Sequence, residues 1–297
     1  MTARITSLAD VHPRPRTIAI GMFDGVHRGH RAVIDGADTV VTFDPHPMAV
    51  LRPESVPAQL TSLEQKAEIL GDLGVHELVL VPFTAETAAL TAERFVDEVI
   101  VDRLDARGVR IGENFRFGHA AAGTPELLSR DSRFDTTVVP VLTLEDDVVS
   151  STRVRRLVSE GEVAAAARLL GAPYTLDGTV VQGEQRGRTL GFPTANLFPP
   201  PGRVLPDHGV YACRATVDGD ELVRPAAVSI GVRPQFESRF GVLVEAYLLD
   251  FDGDLYGRRL ELEFLDRLRG EQKFAGVDEL IAQIQRDADE TRRIVTA

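Results

Sequence analysis

A chain of 297 residues is long enough for two domains with separate cores. A formal net charge of −12 repels nucleic acid and anionic lipid, and no window holds the ~18 apolar residues that a membrane helix needs. A single cysteine, Cys213, excludes an internal disulfide, and Met1 to Asp10 lack the basic start and apolar core of a secretory signal. A cytoplasmic protein with neither a nucleic-acid nor a membrane partner is expected.

Thr17 to Ile20 reads as a short buried strand, and His30 to Gly36 as the start of a helix. Between them lies Gly21-Met22-Phe23-Asp24-Gly25-Val26-His27-Arg28-Gly29-His30. Three glycines let backbone come close to a ligand. A helix N-terminus offers N–H groups and a positive dipole end to phosphate. His27 and His30, three apart, share a helix face. An ordinary α/β turn beside a satisfied histidine accounts for each part alone. The ordered set points to chemistry on a nucleotide phosphate.

Val40 to Phe43 is a second strand, and residues 21–38 suffice for one right-handed crossover. Asp44-Pro45-His46-Pro47 fixes the chain just past that strand's end, where ligands of open α/β sheets bind; a plain rigid loop is the simpler reading. Thr61 and Glu64 are spaced as a capping box for a helix to Gly71. Leu78–Val81 is a third strand, and Thr91 caps a helix from Ala92 to Leu104. Val109–Ile111 is a fourth strand, leading into Gly112-Glu113-Asn114-Phe115-Arg116-Phe117-Gly118. Asn114 both donates and accepts hydrogen bonds, and the phenylalanines can face a flat ring. Thr124-Pro125 opens a short helix, and Thr137–Val141 is a fifth strand. Strands alternating with helices predict a parallel, doubly wound, Rossmann-like sheet. Ser150-Ser151-Thr152-Arg153-Val154-Arg155-Arg156 then reads equally as a solvated capped helix or as a second anion-binding turn. A helix from Val163 to Leu170 breaks at Gly171-Ala172-Pro173, which places the expected domain boundary between residues 172 and 173.

Beyond Tyr174 short β-branched or aromatic runs recur: Thr175–Val181, Val210–Val217, Ala226–Ile230, Val242–Leu249 and Arg259–Phe264. Asp218-Gly219 and Asp252-Gly253 are hairpin signals. These predict an antiparallel β-barrel or sandwich, closed by a helix over Val277–Ile294. Residues 183–196 run Gly-Glu-Gln-Arg-Gly-Arg-Thr-Leu-Gly-Phe-Pro-Thr-Ala-Asn. Its glycines and arginines can wrap phosphates, and Thr194 and Asn196 offer hard oxygens two apart, which suits Mg²⁺ held between protein and ATP. Glu245 sits in an apolar strand on the face of Leu243 and Tyr247, where burying a carboxylate is costly. It is either an exposed charge or a base in a pocket.

The run from Gly21 to His30 resembles the HxGH signature of the nucleotidylyltransferase superfamily, in its bacterial FAD synthetase branch. Gly191-Phe192-Pro193-Thr194-Ala195-Asn196 resembles the PTAN signature of riboflavin kinases. In order and spacing the whole chain, from about Thr17 to about Ile294, resembles the bifunctional bacterial riboflavin kinase/FAD synthetase family. The resemblance implies residues 1–172 as an FMN adenylyltransferase domain and residues 173–297 as a riboflavin kinase β-barrel. Riboflavin and ATP would give FMN and ADP; FMN and ATP would give FAD and pyrophosphate.

It further implies Glu245 as the kinase base, with Arg188, Gly191, Thr194 and Asn196 at Mg²⁺–ATP. In the first domain it implies His27, His30 and Arg155 as catalytic. Gly21, Phe23, Asp24, Gly25, Gly29, Phe43, Pro45, His46, Pro47, Asn114, Ser151 and Thr152 would contact nucleotide or flavin. The chain departs from the family in its short segment Arg31 to Asp38, in Gln185, and in Ser229 and Gln235. The alternatives are riboflavin kinase alone with an impaired first domain, another nucleotidylyltransferase with an accessory barrel, and a flavin carrier without activity.

Overall fold

Two sets of strands, chemically different in sequence, build two units: Met1–Ser151 and Thr152–Ala297. The structure is a computed structural model that describes residues 1–145, 147–182, 191–220, 222–232 and 242–296.

In the first unit, β1 (Arg4–Ser7), β2 (Arg16–Ile20), β3 (Thr39–Asp44), β4 (Glu77–Pro82), β5 (Ala106–Gly112) and β6 (Asp135–Val139) form one parallel sheet. Its order is β1-β4-β3-β2-β5-β6. Helices α1 (Arg28–Ile34), α2 (Pro47–Leu51), α3 (Leu63–Asp72), α4 (Ala85–Ala88), α5 (Ala92–Arg94) and α6 (Pro125–Ser129) connect the strands, and a small hairpin pairs β7 (Thr143–Leu144) with β8 (Asp147–Val148). Alternate residues of each strand feed opposite cores. Ile18, Ile20, Val41 and Val79 pack with Phe95, Val99 and Ile100; Ala19, Val40 and Leu78 pack with Val33, Ile34 and Leu70. Burial on both faces is why these strands read as unbroken apolar runs.

Three local expectations change. The N-cap of α3 is Ser62, whose box partner is Gln65, because the Thr61 hydroxyl is used elsewhere. The helix begun by α5 continues as a π-helix over Phe95–Arg103, since Phe95, Val96, Val99 and Ile100 suit either winding. Strand β1 was not expected: it is four residues long with Ile5 its one apolar member, and it exists by pairing with β4 at the sheet edge.

The second unit takes in α7 (Ser151–Ser159, whose first residue ends the first unit) and α8 (Val163–Leu170), stopped by Gly171 at φ +82°. The strands β9 (Tyr174–Val181), β10 (Ala195–Phe198), β11 (Gly209–Val217), β12 (Val223–Val232), β13 (Val242–Leu248) and β14 (Arg259–Arg269) close an antiparallel barrel in the order β10-β13-β12-β11-β14-β9. Helix α8 packs on β14 and β9, which groups it with the barrel. Leu176, Val228, Ile230, Val244, Ala246, Leu260, Leu262 and Phe264 are buried. Cys213 is buried on β11 as a small hydrophobe, and burial pushes its thiol well up. A terminal helix spans Val277–Thr296. Among the described residues no helix is long and apolar enough to cross a membrane.

Candidate active sites

The first unit's chain order reverses between β2 and β5, and ligands of open α/β sheets bind at such a point. A cavity of about 290 Å³ opens there. It gathers Gly21, Phe23, His27, Gly29, His30, Asn114 and Ser151 of the predicted set. The His27 Nδ1 accepts the His30 backbone N–H at 3.2 Å and so caps α1. In that bond Nδ1 is the acceptor, which leaves Nε2 as the ring nitrogen able to donate. The two imidazoles stack at 3.5 Å, and Phe23 meets His30 edge-on at 5.3 Å. A Cβ on Gly29 would stand 3.3 Å from the His27 ring, so glycine lets the stack form.

The turn that carries these groups is left-handed at Phe23 (φ +49°), Gly25 (φ +82°) and Val26 (φ +40°). Its neighbours hold it in that shape. Buried Asp24 accepts Leu60 N–H at 3.0 Å and Thr61 N–H at 3.2 Å; Gly25 N–H donates to the Thr61 hydroxyl at 3.2 Å. Lys66 Nζ and Thr42 Oγ1 both donate to the Met22 carbonyl, at 2.8 and 3.2 Å. Burial pushes the Lys66 ammonium down, opposed by Asp24 and Asp44. Ser151 Oγ donates to the Asp24 carbonyl at 2.8 Å. Another part of the cavity's wall is fixed by Glu113, whose carboxylate accepts Val141 N–H at 3.0 Å.

Asp24, Gly25, Phe43, Pro45, His46 and Pro47 do not line this cavity. Phe43 packs edge-on against Phe83 at 5.8 Å. His46 Nδ1 accepts Met48 N–H at 3.1 Å and caps α2, with Pro47 in its first turn. Thr152 and Arg155 lie on α7 in the second unit.

In the second unit, Glu245 pairs in register with Asn196 on one side and Ser229 on the other. Directly opposed residues share a face, so three polar positions stand abreast on β10, β13 and β12. Their neighbours Ala195, Val244, Ala246 and Ile230 are buried. Glu245 is half-buried. It lines a cleft of about 630 Å³ with Thr194, Ser229, Phe192, Tyr247, Phe274, Leu280 and Ile284. Leu280 and Ile284 of the terminal helix belong to this cleft; Asp287, Ala288 and Thr291 are the helix's buried residues. Asp287 accepts Arg269 at 2.9 and 3.0 Å, which ties that helix to β14. A second hollow of about 440 Å³ is lined by Pro193, Thr194, Ala195, Phe251, Leu255 and Tyr256. Thr194 borders both. Gly191 is exposed at φ +87°. Arg188, Gln185 and Gln235 lie outside the described residues.

A family model for FAD synthetase matches residues 10–153, and one for riboflavin kinase matches residues 170–295. A bifunctional riboflavin kinase/FMN adenylyltransferase of Listeria monocytogenes is 40% identical, over 93% of this chain and 91% of its own length. The Escherichia coli protein so named is 38% identical, over 91% of this chain and 90% of its own. The chain belongs to the bifunctional riboflavin kinase/FMN adenylyltransferase family. A crystal structure described as a Macrolide-efflux Protein from Streptococcus pneumoniae superposes with a TM-score of 0.87 at 30% identity, covering 97% of this chain and 98% of that one.

Sequence reasoning about this bifunctional family chain missed the clasp of Thr42, Thr61 and Lys66, and the Arg269–Asp287 tie. Thr42, Lys66, Arg269 and Asp287 are single polar residues within an ordinary strand or helix, with no motif around them, and Thr61, in the bend before α3, reads as a helix cap. The only signal was a buried-looking polar residue on an apolar face, as at Lys66 and Asp287.

Proposed function

We propose that the second unit phosphorylates riboflavin to FMN and that the first joins FMN to AMP from ATP, giving FAD and pyrophosphate. The observation that carries the first half is Glu245 in register with Asn196 on the wall of a cleft that adjoins a second hollow at Thr194. The larger cleft suits a flat tricyclic ring, with Phe192, Tyr247, Leu280 and Ile284 as apolar faces. The smaller hollow suits the nucleotide, with Phe251 and Tyr256 for a base.

In the kinase step Glu245 takes the proton of the ribityl 5′-hydroxyl. The oxygen then bonds to the γ-phosphorus of ATP, and the bond to the β-phosphate oxygen breaks, releasing ADP. Thr194 and Asn196 present two neutral hard oxygens beside a carboxylate, a donor set that fits Mg²⁺ shared with ATP. Bound there, the ion would neutralise charge on the transferring phosphoryl group. Arg188 is assigned to the phosphates from its motif.

In the first unit the nucleophile is the FMN phosphate, already ionised near neutral pH. Its oxygen attacks the α-phosphorus, the bond to the β-phosphate oxygen breaks, and pyrophosphate leaves. Positioning and charge stabilisation suffice. The Nε2–H of His27, with His30, is assigned to that charge, and Asn114 and Gly21 to the nucleotide's other end. Asp24 and Gly25 are assigned to holding the turn. Ser151, Thr152 and Arg155 are assigned to phosphate, and Phe43 to Pro47 to ligand, from their motifs alone. We keep the functional boundary at 172/173 and place the protein in the cytoplasm.

Incubation with riboflavin, ATP and Mg²⁺, followed by chromatography, tests the reading. FMN and FAD are expected. Glu245→Gln should abolish FMN formation and spare FAD formation from added FMN, and His30→Ala should do the reverse. Loss of both reactions in either folded variant would refute the division of labour.

A further inference from the structure

Helix α1, which carries His30 and is capped by His27, has only seven residues, Arg28–Ile34. A helix of two turns is marginal by itself, and its last carbonyls have no partner within it. One end is capped by His27, a residue of the cavity. The other end is held from a different strand. The guanidinium of Arg110, on β5, donates through Nε to the Val33 carbonyl at 2.9 Å and through Nη2 to the Ala32 carbonyl at 3.3 Å. A cation at a helix C-terminus also lies at the favourable end of the dipole.

Two residues beyond Arg110 the same strand ends at Gly112 and leads into another part of the cavity's wall, Glu113 and Asn114. That part is itself fixed, since Glu113 bonds Val139 and Val141. Arg110 therefore joins the helix of one part of the wall to the strand of another. We infer that Arg110 is a positioning residue for adenylyl transfer, setting the separation of His27 and His30 from Asn114. The inference rests on reading the first unit as the FMN adenylyltransferase. Arg110 touches no reacting atom in this scheme. A lysine at this position would reach one carbonyl where the fork of arginine spans two.

The test compares the full chain with its Arg110→Met and Arg110→Lys variants. FMN-to-FAD and riboflavin-to-FMN rates are measured on each, with ¹⁵N NMR of the imidazoles. Arg110→Met should lower kcat for FAD formation about tenfold while KM for FMN and ATP stays within about twofold. Arg110→Lys should recover part of the loss, and FMN formation should not change. The His27 nitrogens should move from one fixed tautomer in the parent to a mixture in Arg110→Met. Unchanged kcat, a loss seen only in KM, or His27 signals identical to the parent would each overturn the inference. A parent that makes no FAD would instead overturn the reading of the first unit, and the His27 signals would still decide the role of Arg110.

Discussion

Asp24 is the sharpest place to separate a ligand contact from a scaffold contact. It is 6% exposed, and its carboxylate receives the backbone N–H groups of Leu60 and Thr61 at 3.0–3.2 Å. Asp24→Ala leaves both amides buried without that acceptor. An orphaned buried donor costs about 1–3 kcal/mol, so the pair costs roughly 4 kcal/mol. For a unit of this size, each kcal/mol moves the midpoint by about 2–4 °C, which gives a fall of roughly 10 °C. Calorimetry of the full chain measures it. FAD formation assayed well below the transition should show KM for ATP within about twofold of the parent. An unmoved midpoint together with a KM for ATP raised about tenfold would refute this reasoning and make the carboxylate a substrate contact.

Glu77 lies 2% exposed under Arg4, Thr6 and Arg16. Burial pushes its carboxyl up, but hydrogen bonds from Thr6, Arg16 and Arg4 outweigh it and hold the group below the ordinary carboxylate range. Its contribution is therefore present above the unfolded value of about 4.3 and is lost as pH falls through the folded one. Glu77→Gln should cost roughly 3 kcal/mol at pH 7 in urea unfolding, and should flatten the acid limb of the parent's stability curve. Lys66 has the opposite sign. Its folded value is lowered, chiefly by burial, so the parent should gain stability as pH rises toward the ordinary lysine value of about 10.4. Lys66→Met should abolish that gain, as read by unfolding midpoints across pH 8 to 10. Asp287→Asn loosens the terminal helix from Arg269 and should raise KM for riboflavin about tenfold with a smaller change in kcat, measured by FMN formation.

The ordering of elements was legible because both signals are strong. Runs such as Val40-Val41-Thr42-Phe43 are apolar on both faces only in a covered parallel sheet. The run Val242 to Leu249 is apolar but for Glu245, rich in strand formers and short enough for a barrel strand. Strand β10 was not legible: Ala-Asn-Leu-Phe is four residues long, lies beside prolines and has a polar member, and its existence depends on pairing with β9 and β13. The capping box was misread by one residue because Thr61 and Ser62 are both competent caps. Only the fold shows that Asp24 and Gly25 engage Thr61. The stretches of the candidate sites were legible as motifs, and His27 and His30 do meet. The cap that sets His27 Nδ1 against the His30 N–H was not, because it depends on where α1 begins.

Thr194 has a place that no other described residue shares with it, standing in the walls of both hollows of the second unit. Under the proposed reaction, donor and acceptor are separated there by the thickness of one side chain. A larger residue at 194 would intrude on vitamin and nucleotide together, so neither preference can be retuned through it alone. Under the same reading, selection for a different phosphoryl donor would act at residues that line the smaller hollow and not the larger, such as Leu255 or Tyr256.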